Sequence, residues 1–183
     1  MLFPIKLAFI HPIWFVALAA TVFIAPALTI NGDSGSMIAV AMISVCALLL
    51  PLGWAHGIYR GSRLVLAKTD TVGPSRDWLF YIAEIGVICV PVLALGSNAV
   101  KGSGGVMEGV FGFITFALVL SCFASLWLAS AALVASEEGT PQIAVHKAVG
   151  TFLLMVYWMI GAWVLSRRLK ALRAALETIG TIA

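Results

Sequence analysis

The chain has 183 residues, of which 62% are hydrophobic and only 10% charged, with a net charge of +3 and a mean hydropathy of +1.07. A water-soluble domain carries about a quarter charged residues, so the composition excludes an ordinary soluble enzyme and points to a membrane protein. The basic excess lies between apolar runs rather than in a basic domain with interleaved aromatics. It therefore reads as attraction to anionic headgroups, not as nucleic-acid binding.

A bilayer core of about 30 Å is crossed by about 20 apolar residues in a helix. Five stretches meet that length: Leu7–Ile30, Met37–Tyr59, Trp78–Ala99, Val106–Ala135 and Ile143–Ser166. Barrel strands would be about half as long and would alternate. A helix also satisfies its own backbone amides within the segment. The expectation is an all-α, polytopic integral membrane bundle forming one domain over 1–183, with four or five crossings, short loops and an amphipathic C-terminal helix.

The first stretch follows Lys6 and is longer than the roughly 7–15 residues of a signal-peptide core, so it reads as a retained helix. It contains Pro12 and Pro26, and His11 lies at its start. The turn Asn31–Ser36 leads to the second stretch, which carries Pro51 and His56 and ends in Gly53, Gly57 and Gly61. Glycines at four-residue spacing open a groove that lets another backbone approach closely. They serve either self-association or packing within one chain. The connection Arg60–Asp77 is polar and holds Arg60, Arg63, Lys68 and Arg76.

Glu84 lies in the third stretch, about two helical turns beyond Trp78. A carboxylate at membrane depth points to a functional site by default. It pairs with a His or Lys, binds a cation, relays a proton, or snorkels to the interface that Trp78 and Tyr81 mark. Pro91, seven residues on, either breaks the helix beside that carboxylate, as in many transporters, or is simply tolerated. Glu108 begins the fourth stretch and reads as interfacial. Ser121, Ser125 and Ala129 form a second, weaker ladder of small residues.

Glu137 and Glu138 precede the last stretch, which His146 begins. His146–Tyr157 reads HKAVGTFLLMVY and resembles the His-Lys-x-x-Gly helix start of bacterial cytochrome b561 proteins. The resemblance covers these residues alone, and the chain lacks the family's embedded Arg pattern and second deep His pair. It implies a haem b between His146 and His56 or His11, since two imidazoles from facing helices can hold the iron. Apart from that resemblance, no cofactor is expected.

The tail after the last stretch is amphipathic. Leu165, Leu169, Leu172 and Leu176 alternate at spacings of four and three, while Arg167, Arg168, Lys170 and Arg173 take other faces. Such a segment lies on an anionic leaflet or pairs with a partner helix. The positive-inside rule wants both basic groups, after the second stretch and in the tail, in the cytoplasm. Five full crossings cannot satisfy that, whereas four crossings and one re-entrant stretch can.

Cys46, Cys89 and Cys122 are widely spaced within apolar stretches and read as small packing residues. The sequence has no phosphate loop, no zinc-protease motif and no nucleophile elbow. Three function classes follow. The first is a non-enzymatic subunit or scaffold of a bacterial inner-membrane complex, self-associating or docking another membrane subunit through the glycine face. The second is a small transporter or channel that uses Glu84, and the third is a haem-bearing electron carrier.

Overall fold

The computed structural model describes residues 34–68, 74–100, 105–140, 143–178 and 180, together with the isolated positions 5, 8, 9, 13, 14, 17 and 20. The described residues form five helices. They are α1 (Ser34–Ala67), α2 (Asp77–Val100), α3 (Val106–Glu138), α4 (Val145–Val156) and α5 (Trp158–Thr178). Most of the first apolar stretch lies outside the described residues.

The long apolar runs set the helices, and local chemistry sets their ends. Helix α2 covers the third stretch almost residue for residue, with Asp77 in its first turn, where a negative charge complements the helix dipole. Pro91 lies inside α2, which continues to Val100, so of the two readings the helix tolerates the proline rather than breaking at it. Helix α3 ends at Gly139, whose φ of 63° and ψ of 17° are the left-handed conformation that glycine adopts without a Cβ penalty. Helix α1 runs eight residues past the expected end at Tyr59 and includes Pro51. Arg60 and Arg63 therefore stand on a helix rather than in a loop.

The fifth apolar stretch is not one span. It divides at Tyr157, where ψ of 50° leaves the helical region. The Tyr157 N–H still closes the α4 ladder on the Leu153 carbonyl, and the Tyr157 carbonyl accepts from Gly161 N–H to open α5. The two helices fold back on each other. Arg168 Nη1 on α5 donates to Thr151 Oγ1 on α4 at 2.8 Å. In one straight helix those residues would stand about 26 Å apart.

The bundle packs α1 against α2, α3 and α5, with α2 and α4 also lying on α3. Trp54, Ile58, Phe80, Leu133, Met155, Leu165 and Leu176 are fully buried in one core. Trp54 Nε1–H donates to the carbonyl of Ala8 at 3.2 Å, which ties the N-terminal region to α1. The four tail leucines, Leu165, Leu169, Leu172 and Leu176, all belong to this core. The partner helix that their spacing calls for is the chain's own α1.

Helix directions alternate, so the chain's charges gather at one end. That end holds the last turns of α1, α3 and α5 and the first turns of α2 and α4. Every described Lys and Arg lies there: Arg60, Arg63, Lys68, Arg76, Lys147, Arg167, Arg168, Lys170 and Arg173. The far end of the described bundle carries Glu108. One helix among the described residues, α3, is long and apolar enough to cross a membrane by the criteria of length and hydropathy.

Candidate functional site

Phe80, Ala83, Glu84 and Val87 share one face of α2, at the spacing that turns a helix stripe inward. Phe80, Ala83 and Val87 are buried there, and Glu84 is half-buried among them. On α1, Leu52, Ala55, His56 and Tyr59 form the matching buried face. Where the two faces meet, His56 Nδ1 lies 3.0 Å from Glu84 Oε1. Glu84 lies about 10 Å along α2 from Asp77, inside the charged end.

The pair is closely enclosed. The His56 ring stacks on Phe80 with centroids 4.8 Å apart and planes 15° off parallel. Tyr81 meets the ring edge-on at 5.3 Å. His56 is 2% exposed, and its Nε2 is buried with no hydrogen-bond partner among the described residues. The Glu84 side chain keeps 25% exposure, so the pair reaches its surroundings through the carboxylate.

Toward the charged end, Arg60 Nη2 donates to Asp77 Oδ2 at 3.2 Å. Tyr59 Oη accepts from Arg63 Nη1 and from the Arg76 N–H, each at 3.0 Å. These contacts clamp the end of α1 to the start of α2 and hold the His56–Glu84 register. Away from the charged end, a cavity of about 580 Å³ opens among Leu48, Leu52, Val87, Leu118, Cys122 and Trp158. Its lining is largely apolar, and it opens to the surroundings of the bundle.

Chemically, the pair holds a carboxylate and an imidazole at hydrogen-bond distance. If Nδ1–H donates to Glu84, the Nε2 lone pair stays free and its orientation is fixed. A carboxylate orients metal-ligating histidines in the same way. Among the described residues, however, no group of three or more His, Cys, Asp or Glu side chains is placed to hold a metal ion.

A haem between His56 and His146 does not fit this arrangement. His146 is exposed at the start of α4, a helix that packs on α3 and α5, so the two imidazoles do not face each other across a helix pair. His11 lies outside the described residues.

The glycine face is used within the chain. Gly57 and Gly61 are buried and Gly53 half-buried. A Cβ on Gly61 would meet Leu176 Cδ1 at 3.3 Å and Leu172 Cδ2 at 3.5 Å, so α5 occupies the groove there. Of the basic tail residues, Arg167 and Lys170 are exposed. Arg173 pairs with Glu177 at 2.8 Å and lies over the Phe9 ring. Arg168 grips both carboxylate oxygens of Glu137, through Nε at 2.6 Å and through Nη2.

Sequence reasoning singled out both members of the pair, with a histidine as one partner for Glu84, but not His56 as that partner. Phe80, four residues before Glu84, carried a readable signal, since an aromatic at that spacing shares the carboxylate's face. The Arg168–Glu137 clamp spans 31 residues and had no local signature. Comparison with protein-family models, with characterised proteins and with solved structures finds no match.

Proposed function

We propose that this chain is a small multi-pass protein of a bacterial inner membrane and serves as a non-enzymatic subunit of a membrane complex. Its contact with a second copy or with another membrane subunit runs along α3. The outward faces of α2, α3, α4 and α5 support the membrane assignment. They expose Ile85, Ile88, Phe113, Phe116, Leu153 and Trp163, an apolar surface far beyond what soluble monomers tolerate. The clustering of Lys and Arg at one end supports a cytoplasmic orientation for that end. Helix α4, at about 18 Å, is too short to cross a bilayer core of about 30 Å, so α4 and α5 together form a re-entrant hairpin.

The observation that carries the subunit reading is the exposure of α3. Through its first two thirds, nearly every side of this helix is uncovered. Among the described residues, nothing lies within 4 Å of a Cβ built on Gly109 or Gly112. Small residues left free on a membrane helix are where a second helix can approach closely. Native mass spectrometry from nanodiscs tests this. Wild type should appear as an assembly and Gly112→Leu as the lone chain, whereas equal masses would remove the reading.

A small transporter or channel is the second reading, favoured by the carboxylate of Glu84 beside a buried imidazole. Ionisable groups in such positions mark ion pathways. Glu84→Gln should then abolish flux in reconstituted vesicles without changing expression, and unchanged flux would exclude that role.

A further inference from the structure

We propose that His56 and Glu84 together form a proton-binding site that takes up one proton per chain as a unit. The inference rests on the membrane reading above and names the ion for which the pair is built. With Nδ1–H donating to an ionised Glu84, the pair carries a net charge of about −1 inside an apolar bundle, which is costly without a counter-charge. Arg60, four residues past His56 on α1, is committed to Asp77. A hydronium ion gives its proton to the Nε2 lone pair and leaves as water. An O–H bond breaks, an N–H bond forms, and the pair becomes a neutral imidazolium–carboxylate unit.

Two further observations select a proton. The free atom, Nε2, is a nitrogen base with no partner, whereas a hard metal cation needs a shell of several oxygens that the described residues do not supply. Phe80 stacks on the imidazole within 5 Å, and an aromatic face attracts a cation placed over it.

Among the described residues, no other charge is placed to neutralise the pair. Helix α1 contributes Tyr59, Arg60 and Arg63, of which Arg60 pairs with Asp77 and Arg63 donates to Tyr59. Helix α2 contributes Tyr81, Asp77 and Cys89. Helix α3 offers Cys122 and Ser125 but no charged residue between Glu108 and Glu137. On α5, Arg168 pairs with Glu137 and Arg173 with Glu177, while Arg167 and Lys170 are exposed.

The test is nitrogen NMR of histidine-labelled protein in nanodiscs, titrated from about pH 9 to about pH 4, the range that spans ordinary histidine and carboxylate titration. The His56 signal is assigned by its loss in His56→Gln. It should pass from one to two ring protons in wild type, and Glu84→Gln, which removes the adjacent carboxylate charge, should alter that passage. The exposed His146 should titrate the same way in both proteins. A His56 signal that stays singly protonated throughout, or one that Glu84→Gln leaves unchanged, overturns the proposal. Flotation of the same protein with vesicles separates the two claims. Protein that floats but binds no proton refutes only the site, and protein that fails to float refutes the membrane reading itself.

Discussion

Gly161 on α5 lies so close to Leu154 on α4 that a Cβ built on it would come within 1.7 Å of the Leu154 carbonyl oxygen. No side chain fits there, and the obstacle is backbone rather than a mobile side-chain tip. This contact lets the chain reverse at Tyr157 and bring the basic tail back beside α1. Gly161→Ala should cost about 3 kcal/mol, the upper range for forcing atoms into a packed site. Gly150→Ala on α4 is the control. A Cβ there meets nothing within 4 Å, and removing a helical glycine should gain about 0.5–1 kcal/mol. Thermal unfolding in detergent should move the two variants in opposite directions.

The seat of the tail on α1 is a second target. Leu176 is fully buried and touches the space over Gly61. Leu176→Ala should cost about 2–5 kcal/mol, as for other buried leucines. Gly61→Leu should unseat the same helix from the other side. In both variants trypsin should cut at Arg167, Arg168, Lys170 and Arg173 faster than in wild type. If cleavage stays as slow as in wild type, the docked tail is wrong.

The clamp between Arg168 and Glu137 joins α5 to the end of α3. Both side chains are about a third exposed, so solvent screens the pair. A double-mutant cycle of Arg168→Ala and Glu137→Gln should return a coupling of about 1 kcal/mol or less. Arg168 also bonds Thr151, so Arg168→Ala alone should cost more than Glu137→Gln alone.

The two glycine sets should separate stability from assembly. Gly109→Leu and Gly112→Leu fill open space, so the unfolding temperature should hold while assembly mass falls. Gly61→Leu should lower the unfolding temperature. Loss of assembly from Gly61→Leu without loss of stability would return the docking role to Gly53, Gly57 and Gly61.

The apolar runs made much of this fold legible. The ends of α2 at Asp77 and Val100, and the start of α3 at Val106, fall within one residue of where hydropathy changes. The reversal at Tyr157 was not legible, because the run from Phe152 to Leu165 is apolar on both sides of the turn and holds no proline. Its one signal, Gly161, lies four residues past the turn and acts through a tertiary contact. The extension of α1 to Ala67 was hidden because Arg60–Arg63 interrupts the apolar run before Leu64–Leu66 resumes it, and the helix there is held by packing on α5. His56 and Glu84 were each conspicuous as polar groups in apolar surroundings. Their pairing depends on the register of α1 against α2, which the Arg60–Asp77 and Tyr59–Arg76 contacts fix. Without that register, His56 and His146 remained equal partners for a haem.

On the proposed membrane placement, the hairpin would reconcile hydropathy with charge, because a fifth stretch that turns back returns the basic tail to the end that holds Arg60 and Arg76. The central claim is that both basic groups face the cytoplasm across a membrane. The measurement is cysteine labelling in spheroplasts with a membrane-impermeant maleimide, after Cys46, Cys89 and Cys122 are replaced by alanine. Met107→Cys, at the start of α3, should label from outside. Ser75→Cys and Lys170→Cys should label only after permeabilisation. Labelling of Ser75→Cys and Lys170→Cys from opposite sides would contradict the hairpin and the orientation together.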